Sequence, residues 1–389
     1  MNRSLVILGR QPALGLAELE RLYGADSLHP VDRHVAVLDV GPKHMQFARL
    51  GGTVKLAKVL TRLDTTAWPQ VIRYITKTVP DHLQYIPDGK IRLGLNVYGL
   101  RMTIAEVNRA GLEIKKSIKK AGRSVRVVPN TTLELNSAQS LHNQLTGPTG
   151  LEFVLVKDGN GTLLAQVIHV QDISAYAARD QARPKRDARV GMLPPKLAQI
   201  ITNLSAIQPG QTLLDPFCGT GVVSQEALIM GASAYGTDLE QRMIDFSQVN
   251  LDWLNTKYDL AGSFTLEAGD ATDHQWSKPF DGVAGETYLG RPFSAEPDAE
   301  VLGQVTRDVD TIHRKFLKNM AKQTPAGLSL CLAVPAWKTK NGFKHLPCLD
   351  SLEELGYTRM SFVHVRNEDL VYHREDQFVG RELVVLTRK

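Results

Sequence analysis

The sequence predicts an α/β protein with a doubly wound, Rossmann-like C-terminal half and an N-terminal half of smaller α+β units. From Thr212 onward, apolar strand-like runs alternate with helix-like segments, which is typical of a parallel sheet covered by helices. The first run breaks into a turn of small residues, DPFCGTG, before a helix. Such sheets bind ligands at this kind of turn, where the carboxyl end of a strand meets a helix N-terminus.

Charge separates the two halves in the same way. Residues 1–190 contain 27 Lys and Arg against 16 Asp and Glu, whereas residues 191–389 contain 19 against 25. A basic half joined to an acidic half indicates a module that binds a polyanion beside a module that does chemistry, with chance asymmetry as the alternative.

The first 85 residues alternate as β-α-β-β-α-β, which predicts a small α+β domain. Strands are expected at 4–10 and 34–40, with an amphipathic helix at 15–24 between them. A second helix should end at Gly51 and Gly52, and a strand and another helix follow.

Residues 86–173 predict a second unit of a strand, a long helix, a strand, a short helix and a hairpin with an Asp-Gly-Asn-Gly turn. Ile114 and Ile118 mark the buried stripe of the long helix, so its lysines should project from the opposite side. Residues 174–195 show no periodicity and end in a Pro-Pro pair, which predicts a basic linker.

The C-terminal half completes the Rossmann-like pattern. Helices are expected at 221–230, 241–253 and 298–321, between strands that begin with TLLDPF and AYGTDL. Two last strands, SFVHVR and RELVVLTR, should form an antiparallel end to the sheet.

Composition limits the classes of protein that the chain can belong to. No run of about 18 apolar residues is present, and the N-terminus lacks a secretory pattern, so we expect no membrane span and no signal peptide. Cys218, Cys331 and Cys348 have no metal-ligand spacing, which predicts a reducing cytoplasmic location and no metal site.

The small-residue turn has the features of a site for a ligand without phosphate. It lacks both the G-x-G-x-x-G spacing and a Gly-Lys-Ser/Thr phosphate loop, and Asp215 would repel a phosphate. Gly219 and Gly221 allow the backbone to approach a ligand closely. At the ends of the next two strands, Asp238 is placed to accept hydrogen bonds from ribose hydroxyls and Asp270 from an adenine amine.

The turn, YGTDLE and EAGDAT, in that order and at strand spacing, resemble the class I S-adenosylmethionine-dependent methyltransferases. DPFCGTG is similar to the form found in RNA N2-guanine methyltransferases. The resemblance implies S-adenosyl-L-methionine as the cofactor and no metal. It predicts cofactor contacts from Asp215, Pro216, Phe217, Cys218, Gly219, Thr220, Gly221, Asp238, Leu239, Asp270, Ala271 and Lys196. Cys218 is interpreted as a packing residue rather than a nucleophile.

RPKRDARVGMLPPKLAQIITNLS, just before the turn, is similar to the archaeal and eukaryotic tRNA guanine-10 N2-methyltransferase family. LVILGRQPALGLAELE and LGGTVKLAKVL are similar to that family's N-terminal domain and its THUMP domain, an RNA-binding module. The resemblance implies an N-terminal ferredoxin-like domain at 1–85, a THUMP-like domain at 86–173, the linker at 174–195 and the methyltransferase domain at 196–389.

The same resemblance implies tRNA, or another structured RNA, as the partner. Whether a small activator protein also binds is left open. The basic residues predicted to contact RNA lie on the long helix, in the linker and after the fourth strand of the C-terminal sheet. They are Arg109, Lys115, Lys116, Lys119, Lys120, Arg123, Arg183, Lys185, Arg186 and Arg291.

The catalytic turn departs from the pattern of amino-methyltransferases, which have Asp/Asn-Pro-Pro-Tyr/Phe after the fourth strand. That turn accepts hydrogens from the amine and stacks an aromatic ring on the base, which must be flipped out to reach it. Here the strand FDGVAG leads into Glu286-Thr287-Tyr288-Leu289-Gly290. We therefore predict Glu286 as the acid, Thr287 as the backbone carbonyl and Tyr288 as the aromatic ring.

Several functions fit these residues. The first is methylation of the guanine N2 amine in tRNA. The others are methylation of another RNA base or atom, a non-catalytic tRNA-binding or assembly factor that retains the cofactor site, and amino-methylation of DNA. His142, His169 and His313 stand alone in the sequence and are interpreted as structural.

Overall fold

The computed structural model describes residues 3–187, 192–291, 293, 296–340 and 342–389. The chain forms two compact units. Unit 1 comprises Met1–Pro12, Asp26–Ala48 and Thr53–Ile173, and unit 2 comprises Ala13–Ala25, Arg49–Gly52 and Ser174–Lys389. Two short N-terminal segments thus belong to the same unit as the C-terminal half, a division that the sequence did not predict.

The described part of the chain up to residue 181 supplies the strands of unit 1 and the first helices. The strands are β1 (Ser4–Leu8), β2 (Leu28–Asp32), β3 (Val35–Leu38), β4 (Thr53–Leu63), β5 (Ile91–Tyr98), β6 (Val125–Val127), β7 (Gly150–Asp158) and β8 (Gly161–Val170). The helices are α1 (Pro12–Tyr23), α2 (Trp68–His82), α3 (Ile104–Lys120), α4 (Ser137–His142) and α5 (Ile173–Gln181).

In unit 1 these strands form one mixed sheet with the order β2-β3-β1-β4-β8-β7-β5-β6. β4 pairs with β8 in antiparallel fashion, and this pairing joins the segments 1–85 and 86–173 within a single sheet. The boundary expected near residue 85 therefore lies inside a continuous sheet. Pairing between strands a hundred residues apart leaves no local pattern that a sequence could display.

α3 is the long basic helix that the sequence predicts, and both its start and its buried face have clear causes. Thr103 and Glu106 form a reciprocal capping box at its N-terminus. Val107, Ile114 and Ile118 are buried in the core between α3, α2 and the sheet. The basic side chains are consequently left on the outer face.

Unit 1 also buries an ion pair. Lys55 and Glu152 are 2% and 0% exposed, and the Lys55 Nζ donates to a Glu152 carboxylate oxygen. Nζ also donates to the carbonyl of Leu135 at 2.7 Å and to Asn96 Oδ1 at 3.3 Å. Burial lowers the pKa of Lys55, and the Glu152 carboxylate opposes that effect. The network satisfies the ammonium group where water cannot reach it.

Unit 2 contains the remaining described elements. The helices are α6 (Pro195–Leu204), α7 (Val222–Ile229), α8 (Gln241–Tyr258) and α9 (Ala299–Gln323). The strands are β9 (Thr212–Asp215), β10 (Ser233–Asp238), β11 (Phe264–Ala268), β12 (Gly282–Glu286), β13 (Ser329–Thr339), β14 (Gly342–Lys344), β15 (Tyr357–Arg359), β16 (Val371–Tyr372) and β17 (Val379–Arg388).

The sheet of unit 2 has the order β11-β10-β9-β12-β13-β17-β15, with β14 beside β13 and β16 beside β17. β10, β9 and β12 are parallel to their neighbours, and β17 is antiparallel to β13. The predicted Rossmann-like fold is confirmed. Strand order reverses between β9 and β12, the kind of crevice in which open α/β sheets bind ligands.

The helix expected to end at Gly51 and Gly52 is replaced by two short 3₁₀ turns, Pro42–His44 and Phe47–Arg49. The two glycines instead permit two backbone segments to approach each other. A Cβ at Gly51 would lie 2.2 Å from the carbonyl oxygen of Lys196. The amides of both glycines donate to the buried Glu18 carboxylate, each at 2.9 Å. Asn203 of α6 donates to the same carboxylate at 2.7 Å. This hydrogen bonding holds the N-terminal segments in unit 2.

The strand expected at SFVHVR is wrong. The amides of Val363 and His364 donate to the Glu20 carboxylate at 2.6 and 3.0 Å, so these amides are not available to a neighbouring strand. β15 lies earlier in the chain, at Tyr357–Arg359. An alternating pattern of apolar residues does not show whether the backbone amides bond to a neighbouring strand or to a side chain.

The linker expected from residue 174 is wrong for its first part, because α5 continues to Gln181. Tyr176 and Arg179 on this helix are buried, and the Arg179 Nε donates to Glu226 Oε1 of α7 at 2.8 Å. The short helix has little periodicity, which is why the sequence did not show it. Residues 188–191 of the expected linker lie outside the described residues. None of the described helices has both the length and the hydropathy needed to cross a bilayer.

The buried ion pair of unit 1 provides a test of this fold. Lys55→Met leaves the Glu152 carboxylate buried without its cation, and we expect it to lower the free energy of unfolding by about 3–5 kcal/mol. Lys58 lies exposed on the same strand, so Lys58→Met should cost about 0.5 kcal/mol or less. Thermal unfolding combined with hydrogen exchange of the β4 and β7 amides measures both variants. Equal effects of the two substitutions would contradict the assigned role of Lys55.

Candidate active site

The small-residue turn connects β9 to α7, and two of its glycines have backbone angles that other residues rarely adopt. Gly219 has a φ of +52° and Gly221 a φ of +81°. The Gly221 amide donates to the carbonyl of Cys218 at 2.7 Å, which closes the turn. A Cβ at Gly221 would lie 3.0 Å from Ser247 Oγ. The turn therefore requires glycine for both conformation and space.

Two side chains of α8 stabilise this turn by hydrogen bonds to its backbone carbonyls. Ser247 Oγ donates to the carbonyl of Gly219 at 2.7 Å, and Asn250 Nδ2 donates to the carbonyl of Thr220 at 2.9 Å. Asn250 also exchanges two hydrogen bonds with the backbone of Lys185. Neither residue was predicted from the sequence. The sequence pattern that could have indicated them is a pair of polar residues, three apart, at buried positions of an amphipathic helix.

Asp238, at the end of β10, supports the same turn. One carboxylate oxygen accepts from the Gly219 amide at 2.9 Å, and the other accepts from the Glu240 amide at 3.0 Å. Burial raises the pKa of Asp238, and these two hydrogen bonds oppose the rise. The next side chain, Leu239, is 71% exposed and forms an uncovered apolar surface at the rim.

The third strand ends at the same edge of the sheet. Asp238 of β10 lies opposite Ala268 of β11, and the Gly269 amide donates to the carbonyl of Asp238 at 2.9 Å. Asp270 follows with an exposed side chain whose Oδ1 accepts from the Thr272 amide at 2.9 Å. Ala271 is buried. The turn and the predicted acids of β10 and β11 thus meet along one edge.

Asp215 is the most deeply buried acid of this edge. It is 2% exposed, and its Oδ1 accepts from the Phe217 amide at 3.2 Å. A Cβ at Gly285 of β12 would lie 2.5 Å from that same oxygen, so the neighbouring strand requires glycine there. Burial raises the pKa of Asp215 well above its usual range, and the charges of Asp238 and Glu286 raise it further.

The other residues of the turn fill the space around these acids. Pro216 is buried, and Phe217 is half-buried with its ring 5.0 Å from that of Phe316 in an edge-to-face contact. Cys218 is buried, and its amide donates to the carbonyl of Thr237 at 2.9 Å. Burial raises the pKa of the Cys218 thiol well above its usual range. A protonated, buried thiol fits the packing role that we predicted for it.

The Lys196 side chain packs against α5. Its Nζ is 5.0 Å from the centre of the Tyr176 ring, and burial lowers its pKa. Its cofactor contact stays a prediction.

Glu286 ends β12, and its side chain is paired with a cation that the sequence analysis missed. The Arg381 Nε of β17 donates to Glu286 Oε1, and the two side chains are 5% and 15% exposed. Burial raises the pKa of Glu286, and the Arg381 guanidinium opposes the rise. The available signal was a charged Arg-Glu pair inside an otherwise apolar strand, RELVVLTR.

Thr287 is tied to the core through its side chain. Its Oγ1 lies 2.7 Å from His313 Nε2, and His313 Nδ1 lies 2.7 Å from the carbonyl of Val309. Burial lowers the pKa of His313 to about 4, so the ring is neutral. A carbonyl can only accept, so Nδ1 carries the proton and Nε2 accepts from the Thr287 hydroxyl. Thr287 can therefore serve the site only through its backbone, and His313 is structural, as expected.

Beyond Thr287, the side chains of Tyr288 and Arg291 are exposed, and Gly290 packs against α9. Tyr288 is 44% exposed. Gly290 has a φ of +90°, and a Cβ there would lie 3.1 Å from Val305 and 3.2 Å from Val309 of α9. Arg291 is exposed. The turn thus combines an inward carboxylate with an outward aromatic ring.

The predicted RNA contacts fall into two groups. The exposed ones are Arg109, Lys116, Lys119, Lys120, Lys185, Arg186 and Arg291, with Lys115 half-buried. Arg123 is a correction, because its Nη1 and Nη2 donate to the carbonyls of Leu83, Ile86, Pro87 and Gly89. Arg183 is a second correction, because it is only 3% exposed. A basic run in a sequence does not reveal which of its members are turned inward.

The part of the chain that contains the site is similar to known methyltransferases. Residues 183–339 match the UPF0020 family, RMKL-like methyltransferase domain. The tRNA (guanine(10)-N2)-dimethyltransferase of Methanothermobacter thermautotrophicus is 30% identical over 158 residues, which are 40% of this chain and 43% of that relative. The chain thus spans less than half of the length of this relative.

A probable tRNA (guanine(10)-N2)-dimethyltransferase of Methanothermococcus thermolithotrophicus is 32% identical over 117 residues, which are 29% of this chain and 72% of that relative. The fold is also similar to TrmN from Thermus thermophilus, with a TM-score of 0.54, 17% identity and coverage of 100% of both chains. From these matches, the chain belongs to the tRNA guanine N2-methyltransferase-like family.

Proposed function

We propose that this protein is an S-adenosylmethionine-dependent methyltransferase that methylates the exocyclic N2 amine of a guanine in tRNA. The observation that carries the proposal is the Glu286 carboxylate at the end of β12, on the strand next to the one that leads into the glycine turn. A methyl donor held at the turn and an amine acceptor held at Glu286 would occupy one crevice.

The residues of the glycine turn fit the cofactor. Burial and the neighbouring acids destabilise the ionised form of Asp215, so a cationic ligand that stabilises this form would be favoured there. The exposed Leu239 offers an apolar surface beside Asp238 that a flat ring could cover. When bound, S-adenosylmethionine supplies an electrophilic methyl group on a sulfonium cation. The contribution of the chain is to orient both partners.

Guanine fits the acceptor side better than adenine does. The Watson–Crick edge of guanine carries two neighbouring donors, N1–H and the N2 amine, whereas adenine has an acceptor at N1 beside its amine. An ionised carboxylate only accepts hydrogen bonds, so Glu286 would pair with guanine and repel the N1 lone pair of adenine. The backbone carbonyl of Thr287 is the second acceptor in this proposal, and Tyr288 is the ring that stacks on the base.

The tRNA substrate is supported by the basic surface of α3 in unit 1. Four exposed side chains on this helix, those of Arg109, Lys116, Lys119 and Lys120, form that surface. A tRNA substrate also supports a cytoplasmic location.

Mass spectrometry of nucleosides tests the reaction. Unmodified tRNA treated with the protein and S-adenosylmethionine should yield N2-methylguanosine. Glu286→Gln should lower the rate by about 10²–10³-fold, since it removes a preorganised charged acceptor, and cofactor affinity by calorimetry should change little. The matched control is Glu300→Gln, an exposed acid of α9, which should keep full activity. The assay is run with the chain alone and with a tRNA-free cell extract, which would supply an activator protein.

Each alternative predicts a different outcome. A methylated adenosine or cytidine would support another base as the target and contradict the guanine proposal. Cofactor and tRNA binding without any product would support a non-catalytic factor. Preferential binding of duplex DNA in competition with tRNA would support DNA methylation. Failure to bind S-adenosylmethionine would overturn the enzyme proposal.

RNA binding by α3 is tested through its salt dependence. The triple variant Lys116→Ala, Lys119→Ala and Lys120→Ala should weaken tRNA binding. It should also reduce the slope of log affinity against log salt by up to about three, roughly one for each phosphate that is no longer neutralised. A control triple at exposed lysines elsewhere in unit 1, Lys43→Ala, Lys58→Ala and Lys157→Ala, removes the same charge. If the control lowers affinity and slope equally, binding depends on overall charge and not on α3.

A further inference from the structure

The Glu286–Arg381 pair crosses an intervening strand. β12 and β17 are both neighbours of β13, on opposite sides. Glu286 lies opposite Ala333 of β13, and Arg381 lies opposite Pro335. Residues two apart on a strand share a face, and so do residues opposite each other on adjacent strands. The long Arg381 side chain therefore reaches Glu286 over two small residues, where a bulky side chain at Ala333 would be in the way.

The pair leaves one carboxylate oxygen for another partner. Oε1 accepts from the Arg381 Nε, and the Arg381 Nη1 is in turn hydrogen-bonded to Gln377 Oε1 at 3.3 Å. Among the described residues, Oε2 of Glu286 receives no hydrogen bond. Nε and Nη1 thus engage two different acceptors, which fixes the guanidinium and, through it, the orientation of the carboxylate.

The groups around Glu286 differ in their effect on its charge. Arg381 attracts the negative charge of Glu286, and that charge raises the pKa of Asp215 on the neighbouring β9. His313 of α9, which contacts the following residue, is neutral. Burial would otherwise favour the protonated carboxyl, in which one oxygen donates a hydrogen bond and is no longer purely an acceptor. Among the described side chains, Arg381 is the group that opposes this.

The pair also explains how this turn can work without its prolines. In the Asp-Pro-Pro-Tyr pattern the two prolines restrict the backbone beside the acid. Here those positions are Thr287 and Tyr288, and the rigidity comes from tertiary contacts. Thr287 is anchored to His313, and the Glu286 side chain is anchored to Arg381.

We infer that Arg381 is a positioning residue for the methyl transfer, which holds Glu286 as an oriented anion whose Oε2 accepts a hydrogen of the target amine. This inference rests on the proposed function. Arg381 itself does not touch the substrate, and the role of its charge is separable from its role in packing.

Variants at Arg381 test this through the pH profile of kcat/KM. An opposite charge at this distance lowers a carboxyl pKa by about 1–3 units. In Arg381→Gln the pKa of Glu286 should therefore rise further, and the acid limb of the profile should move to higher pH by about 1–3 units. Activity should recover in part at high pH, and the KM for S-adenosylmethionine should stay unchanged. Arg381→Lys keeps a positive charge but lacks the planar guanidinium group. The acid limb of its pH profile should lie between those of the wild type and Arg381→Gln.

The control is Arg359→Gln, which breaks another Arg–Glu pair on the same sheet, the one with Glu382 of β17 at 2.7 Å. It should leave the acid limb in place. An unshifted limb in Arg381→Gln, or an equal shift in the control, would overturn the inference.

A readout without turnover separates this inference from the proposed function. The protein is labelled with ¹³C at the glutamate carboxyl carbons, and the Glu286 signal is identified by its disappearance in Glu286→Gln. Its titration should move to higher pH in Arg381→Gln even if no RNA is methylated. If the wild-type protein methylates no RNA and the titration of Glu286 still shifts in Arg381→Gln, the proposed function is contradicted and the Arg381–Glu286 coupling is supported. An unshifted titration would overturn the coupling whether or not the protein is active.

Discussion

Three carboxylates, those of Asp215, Asp238 and Glu286, lie at one edge of the unit 2 sheet, where water is largely excluded. The ionised form of each has to be stabilised by the protein or by a ligand, because an isolated charge in such a place is costly and the group otherwise takes up a proton. Asp238 accepts hydrogen bonds from two backbone amides, and Glu286 forms an ion pair with the Arg381 guanidinium. Asp215 receives a single amide at 3.2 Å and is repelled by the other two. The least compensated acid therefore lies directly at the glycine turn.

Much of the local architecture follows from this constraint. The amide of Gly219 is available to Asp238 because the turn adopts a left-handed conformation there. β12 carries glycine at position 285 because the Asp215 carboxylate occupies the space of a side chain. Gly219 of the turn and Gly285 of β12 thus both accommodate buried acidic side chains.

The sequence predicts those parts of the site that depend on neighbouring residues. The glycine turn, the acids that end β10 and β11, and the capping box of α3 are all patterns within a few residues. For contacts between distant segments, a local pattern shows at most that a polar residue is placed among apolar ones and does not reveal its partner. Arg381 is 95 residues from Glu286, and Ser247 is 28 residues from Gly219.

The wrong expectations have the same origin. The segment at Val363 alternates like a strand, but its amides are hydrogen-bonded to Glu20, 343 residues away. Arg123 and Arg183 look like members of a basic surface, yet one is bound to backbone carbonyls and the other is buried. Charge in a sequence specifies neither the exposure of a residue nor its partner.

This distinction changes how the charge asymmetry of the chain should be interpreted. Several cations in residues 1–190 are internal. Lys55, Arg179 and Arg183 are buried, and Arg123 has its guanidinium bound to the backbone. Four acids of this half, Glu18, Glu20, Glu152 and Asp187, are buried as well, so its surface stays basic while the number of its exposed cations is smaller than the sequence implies. Four of the exposed cations, Arg109, Lys116, Lys119 and Lys120, lie on α3, an amphipathic helix that separates its buried and exposed faces. A polyanion that binds α3 would be positioned by the spacing of these few side chains.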